Sequence, residues 1–373
     1  VQKALRSLKA EIIVVDNASA DGSIKYLLSK FPGVNFIDNP KNVGFARANN
    51  QALREAKGEY ILFLNPDTIL PEDCLDQCLE LFQLNPKIGA CGVKMIDGSG
   101  SFLPESKRAF PSLQTSFYKL SGLTSLFPHS RRFARYHLGH LPDAENAEID
   151  VLSGAFFMTK REVLHKTGAF DERFFMYGED IDLSFRIQQS GYVNFYLAET
   201  SIIHFKGEST KKGSIDYVRM FYKAMSLFFE KHYRSKNPKA LAFLIETSIW
   251  FRAGLSATKN FFAIKMPVPK EGGFKTLVVA SETATKEVAA LLKKQSQERK
   301  LYYVKPGADL NEAVVTHAAD EIILVQGALS YKEIISAMQQ LPPGMIIYIY
   351  ADGAGSIISS SSKNTNGFIL ALP

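Results

Sequence analysis

Residues Tyr60-Ile61-Leu62-Phe63-Leu64-Asn65-Pro66-Asp67-Thr68 decide the fold class of this chain. The apolar run Tyr60 to Leu64 has no polar face, so it reads as a buried strand of the parallel kind. Pro66 cannot continue a central ladder, and the strand must stop with Asp67 at its carboxyl end. In open α/β sheets that end is where ligands bind. A carboxylate there can hold a divalent cation, and a cation there can hold a diphosphate. A plainer alternative stands beside this one: Asp67 introduces the helix whose start is marked by Pro71, Glu72 and Asp73.

An earlier strand, Glu11 to Val15, ends the same way. It runs into Asp16-Asn17-Ala18-Ser19-Ala20-Asp21-Gly22-Ser23, ahead of a helical pattern from Ile24 to Lys30. Such a helix start can receive a ribose or phosphate through backbone N–H groups, or it can be an Asx turn with an N-cap. In Asn42-Val43-Gly44-Phe45-Ala46-Arg47-Ala48-Asn49-Asn50 a glycine loop opens another helix, with amides near its start. One glycine loop says little. Two strands ending in carboxylates, with a polar helix start between them, make a nucleotide-site pattern.

Further along stand Ser153-Gly154-Ala155, Gly168-Ala169-Phe170-Asp171-Glu172, Gly178-Glu179-Asp180-Ile181-Asp182-Leu183 and His204-x-x-Gly207-x-Ser209. With the motifs above, this ordered set across residues 11 to 210 resembles the inverting family 2 glycosyltransferases, especially their rhamnosyltransferase-like branch. The resemblance implies a GT-A fold, a mixed sheet flanked by helices. It implies transfer of a sugar, with rhamnose a candidate, from a nucleotide-sugar donor to a glycan or lipid-linked acceptor. Asp180 is then the base that takes the acceptor's proton, with Glu179 an orienting neighbour. Asp67 and His204 hold a divalent cation, Mn2+ or Mg2+, and neutral imidazole suits manganese better. Asp16 contacts the base or ribose, and Ser19, Asp21, Asn42, Gly44, Asn49 and Asn65 line the same pocket. Ser153, Gly154 and Ala155 lie near the donor sugar or acceptor. Read without the resemblance, Glu179, Asp180 and Asp182 are first-turn acids favourable to a helix dipole.

The chain departs from the family twice. Its acidic pair often reads Asp-x-Asp, and here position 65 is Asn. The family also begins with a strand and a Tyr-Asn-type loop. Val1 to Leu8 reads as the end of the following helix, so the glycosyltransferase domain, residues 1–235, is expected to lack its first strand. These departures keep a competing reading alive, a catalytically silent sugar-nucleotide-binding or scaffold protein. A processive polysaccharide synthase fits less well, because Trp250, the single tryptophan, sits in no Gln-x-x-Arg-Trp motif.

The composition is that of an ordinary globular chain of 373 residues, 46% hydrophobic and 22% charged, long enough for two domains. Its three cysteines make no disulfide framework and indicate reduced, buried thiols in a cytoplasmic protein. The net charge of +6 suits an acidic membrane surface or a diphosphate-bearing substrate. Lys107, Arg108, Arg131, Arg132 and Arg135 flank an aromatic and leucine-rich stretch. We read Ser101 to Leu141 as an insertion over the active site, either resting on the inner face of a membrane as a peripheral contact or packed on its own domain. Nucleic acid is a poor partner, since no recognition module accompanies the charge.

Residues 236–273 read as an amphipathic helix, too charged to span a bilayer, followed by a linker around Pro267 to Gly273. From 274 to 373 short apolar strands alternate with helical patterns, which predicts a Rossmann-like α/β accessory domain. It lacks a Gly-x-Gly-x-x-Gly fingerprint, which argues against a bound dinucleotide. Asp352 to Ser356 and Ser359 to Asn366 read as surface loops.

Overall fold

The computed structural model describes residues 1–6, 8–112, 114–115, 118, 123–205, 215–233, 273–293, 299–351, 356–359 and 368–369. Gly207, Ser209, Trp250, the amphipathic helix, most of the linker and most of the two C-terminal loops lie outside them.

The chain is mixed α/β. Strands β1 (Ile13–Asp16) and β2 (Asn35–Asp38) form a parallel pair of their own. Next come β3 (Tyr60–Leu64), β4 (Thr68–Ile69), β5 (Ile88–Ile96), β6 (Ala147–Ile149), β7 (Phe156–Lys160) and β8 (Val193–His204). They make a six-stranded sheet in the order β3-β7-β5-β8-β4, with β6 paired to β8.

The opening apolar run is therefore a strand, but its direction corrects the sequence reading. It pairs antiparallel with β7, from Tyr60 opposite Lys160 to Leu64 opposite Phe156. Ile61 and Phe63 enter one apolar cluster with Phe157 and Phe170, while Tyr60, Leu62 and Leu64 pack against another with Phe82 and Met158. Burial on both faces erases the alternation that normally marks an antiparallel strand. The run encodes burial and leaves direction to the partner.

A second sheet follows, built from β9 (Phe274–Val279), β10 (Arg299–Val304), β11 (Glu321–Gln326), β12 (Ile346–Ala351), β13 (Ile357–Ser359) and β14 (Phe368–Ile369). Its order is β10-β9-β11-β12-β13-β14, parallel through β12 and antiparallel after it. Every residue of β11 is buried, as a central parallel strand requires. Helices Glu282–Lys293, Leu310–His317 and Tyr331–Gln340 connect the parallel strands.

The two sheets share an apolar cluster in which Ile96 and Ile203 join Ile334, Ile335, Met338 and Leu341. The Glu72 carboxylate accepts the backbone N–H groups of Tyr331 at 2.8 Å and Lys332 at 3.1 Å, and Lys332 Nζ reaches Asp73 at 2.6 Å. The sequence reading gave Glu72 and Asp73 to helix Cys74–Leu84. Asp73 occupies its N-cap position but its side chain caps no backbone N–H there; it accepts from Gln77 Nε2 at 2.9 Å, and both acids also reach a helix some 260 residues away.

Candidate active site

Helix Glu179–Gln189 is reached through a turn with Tyr177 at φ 68° and Gly178 at φ 85°. Left-handed backbone at a residue such as Tyr177 costs about 1 kcal/mol or more and persists only where its surroundings fix it. Here a Cβ on Gly178 would lie 3.1 Å from the Phe174 ring and 3.2 Å from Ala224, so the turn is packed from both sides.

That turn buries three acids in the helix's first turn, and each meets different partners. Asp182 is fully buried and bound by Arg186 Nε at 2.8 Å, Lys231 Nζ at 2.7 Å and His232 Nε2 at 2.7 Å. It fastens helix Ile215–Tyr233 to the site's own helix. Asp180 Oδ2 accepts from the Gly154 N–H at 3.1 Å and from the Arg108 guanidinium at 2.6 Å, and its Oδ1 accepts from the Ile181 N–H at 2.8 Å. Glu179 Oε2 is buried with no hydrogen-bond partner. Burial first, then the neighbouring Asp180 charge, push the Glu179 carboxyl up to about 8. A helix-dipole role alone accounts for none of these differences.

Backbone contacts bring the other motifs to the same place. The Asn65 N–H donates to Ala155 O at 3.0 Å, which holds Ser153-Gly154-Ala155 against the end of β3. A Cβ on Gly154 would meet the Phe45 ring at 3.6 Å and Asp180 Cβ at 3.7 Å. Thr68 pairs with His204 across β4 and β8, and this register sets His204 Nε2 3.3 Å from Asp67 Oδ1. His204 is 6% exposed and its Nδ1 has no hydrogen-bond partner. Two ligands of one cation, each about 2.1 Å from it, lie roughly 3 Å apart, so the pair fits a shared ion. Among the described residues no cluster of three or more His, Cys, Asp or Glu side chains could hold a metal.

The residues expected along a nucleotide pocket divide. Asp16 ends β1, and its Oδ2 accepts the Ser19 N–H at 2.8 Å, an Asx turn. Asp21 accepts the Ser23 N–H at 2.9 Å and lies exposed beside Ser19. Asn42 Oδ1 accepts the Gly44 N–H at 2.9 Å. Gly44 has φ 89°, and a Cβ there would come within 2.6 Å of Phe175 O, so glycine is required where this loop closes on the Tyr177 turn. Asn49 turns back instead, donating to Phe45 O at 2.9 Å within its own helix.

Two features escaped the sequence reading. Asn39 donates to Asn17 Oδ1 at 3.1 Å and exchanges hydrogen bonds with Gln51 at 2.8 and 3.0 Å, an amide cluster at the ends of β1 and β2. Its only signal was a polar residue at a strand end. The second is Arg108, read with Lys107 only as part of a basic cluster flanking an insertion over the active site. Both point inward. Lys107 is 1% exposed, paired with Asp143 at 2.7 Å and hydrogen-bonded to Leu141 O, and it lies 5.5 Å from the Phe102 ring centroid. Arg108 bridges Val151 through the backbone, which carries its side chain to Leu152 O at 2.6 Å and to Asp180.

Residues 1–168 match the model for "Glycosyl transferase family 2". The chain is 26% identical over 256 residues to the N-acetylglucosaminyl-diphospho-decaprenol L-rhamnosyltransferase of Mycobacterium tuberculosis, covering 65% of this chain and 82% of that one. It is 28% identical over 192 residues to the poly-beta-1,6-N-acetyl-D-glucosamine synthase of Staphylococcus aureus, covering 51% of this chain and 41% of the synthase. Among solved structures, a mannosyltransferase from Pyrobaculum calidifontis in complex with GDP-Man and Mn2+ aligns at a TM-score of 0.40 and 18% identity, over 77% of this chain and 72% of that one. The match to that family model spans residues 1–168 of 373, from β1 through β7, and over this stretch the chain is similar to glycosyl transferase family 2.

Proposed function

We propose that this chain is an inverting glycosyltransferase of cell-surface glycan synthesis, with Asp180 as its base. The observation that carries the reading is the convergence of Asp180, Gly154, Asn65, Asp67 and His204 through the Asn65–Ala155, Gly154–Asp180 and Thr68–His204 contacts. The acceptor hydroxyl gives its proton to the Asp180 carboxylate while its oxygen bonds the anomeric carbon. The bond from that carbon to the diphosphate breaks, and its electron pair leaves with the nucleoside diphosphate. Asp67 and His204 would hold a divalent cation, which when bound neutralises the leaving diphosphate. Asp16, Ser19, Asp21, Asn42, Gly44 and Asn65 are offered as the nucleotide side of the pocket. Asn49 is offered with them through its side-chain oxygen, since its Nδ2 donates to Phe45 O within the helix.

The rhamnosyltransferase relative supports rhamnose as the donor sugar and a lipid-linked diphosphate as the acceptor. Such an acceptor places the protein at the inner face of the cytoplasmic membrane, in peripheral contact with it. No helix among the described residues is long and apolar enough to cross a membrane. Residues 1–235 then form the transferase domain and 274–373 an accessory domain.

Thermal shift with UDP-, GDP- and dTDP-sugars in the presence of Mn2+ tests donor binding, since a bound donor raises the melting temperature by mass action. Transfer lost in D180N with donor binding kept supports the base. Donor binding without transfer in every variant and in the wild type favours the silent binder. Mn2+ dependence lost in D67A but retained in H204A removes His204 from the cation.

A further inference from the structure

Asp180 and Glu179 are adjacent buried carboxyls, and one guanidinium stands beside them. Arg108 touches Asp180 at 2.6 Å, and the Gly154 and Ile181 N–H groups add two further donors to the same carboxylate. No hydrogen bond reaches Glu179 Oε2. Two like charges at such separation in a dry site cannot both form cheaply, so one carboxyl keeps a proton. Three donors favour charge on Asp180, while Glu179 has only a backbone contact and the Arg108 charge against its burial. Oxygen by oxygen, Oδ2 has both lone pairs engaged, by Arg108 and Gly154, while Oδ1 accepts only from Ile181 and keeps one lone pair. A proton from an acceptor hydroxyl has that one place to go.

We propose that Arg108 is a positioning residue of the base: it assigns the negative charge of the Asp180–Glu179 pair to Asp180 and leaves Oδ1 as the accepting oxygen. This rests on the reading of Asp180 as base. The other groups facing the pair are the Tyr136 hydroxyl, which contacts Arg108, and the Leu152 carbonyl, which accepts a second Arg108 bond at 2.6 Å. Both aim the guanidinium. The backbone bridge to Val151 supplies the rigidity, because the Val151 N–H donates to Arg108 O at 2.9 Å. Tyr136 comes from the far end of the Ser101–Leu141 segment, and its backbone carbonyl accepts the Ala109 N–H at 2.9 Å, so the segment that carries Arg108 is tied down on both sides.

The test is carboxyl 13C NMR of the full chain, which needs no donor, with D180N and E179Q to identify the two signals. In the wild type the pair titrates in two separated steps, the upper one lost in E179Q. In R108M the separation narrows by at least about one pH unit, the size expected when an adjacent opposite charge is removed. R108K restores most of it. Unchanged steps in R108M overturn the proposal, as does R108K behaving like R108M. Should R108M fail to fold by its melting curve, R108Q carries the same comparison, with the same two outcomes.

Sugar transfer with the donor found by thermal shift separates this inference from the one beneath it. R108M is expected to lose roughly 10²-fold or more in kcat, the range of a general-base contribution, with KM for donor little changed and the acidic limb of the pH profile moved to higher pH. Transfer retained in D180N removes Asp180 as base whatever Arg108 does. Transfer lost in D180N, with the limb unmoved in R108M, leaves the base standing and makes Arg108 merely structural.

Discussion

Glu179 and Asp182 show how three acids within four residues come to do different work. Glu179 has no donor beside its Oε2, and burial raises its carboxyl to about 8. Between the ordinary glutamate range and that value the folded chain holds a proton that the unfolded chain has released. The group's contribution to stability therefore falls as pH rises across that window. E179Q should flatten this part of a melting temperature against pH curve and gain most over wild type near pH 8. A curve parallel to wild type would show that Glu179 is ionised in the folded state. Asp182 is the opposite case, charged and satisfied by Arg186, Lys231 and His232. D182N leaves two cations and an imidazole without their common partner, and such a break costs about 3 to 5 kcal/mol. Urea unfolding should show that loss; a change below about 1 kcal/mol would mean the cluster rearranges. The sequence marked all three residues as special. It could not say which would be base, neighbour or fastener, because those roles depend on Arg108, 72 residues from Asp180, and on Lys231 and His232, about 50 residues from Asp182.

Elements were more legible than their partners. Strands alternating with helices were expected over 274–373, and helices do begin there at Leu310 and Tyr331, the second with a capping box between Ser330 and Glu333. The strand at Tyr60 is likewise in place, and only its direction was misread. Local signals such as caps and apolar runs act over one turn or one strand, so they survive reading without a fold. Glu72 is where that reading stops. Its carboxylate meets the first turn of helix Tyr331–Gln340, where the unpaired N–H groups and helix dipole attract an anion. Losing that contact is worth about 1 kcal/mol. E72Q should lower the urea midpoint accordingly, and proteolysis should release the 274–373 unit faster than in wild type. If E72Q leaves both measurements unchanged, the apolar cluster of Ile96, Ile203 and Met338 and the Lys332–Asp73 pair join the two sheets without it.

At the scale of the molecule, the Ser101–Leu141 segment reaches from the candidate base to an exposed tip. Its inner end carries Arg108 to Asp180. Its outer part shows Leu126 at 72% and Phe127 at 50% exposure, with Arg131, Arg132 and Arg135 exposed nearby. Large apolar side chains exposed at the end of helix Leu123–Leu126 are costly in water, and three guanidiniums nearby favour an anionic lipid surface. Each arginine near such a surface contributes about 1 kcal/mol, so the three together correspond to roughly a hundredfold in partitioning. Vesicles of phosphatidylglycerol and phosphatidylcholine should therefore sediment the wild-type chain at low salt. Reversing all three arginines to glutamate should abolish this binding. L126S/F127S should weaken it without altering its salt dependence, because the two terms have different origins. Binding that survives the charge reversal, or that is equal on vesicles of phosphatidylcholine alone, would exclude this tip as the contact. In the expected case the same segment that settles on the lipid also supplies Arg108, so an acceptor arriving from the membrane meets the base from the side on which its charge is set.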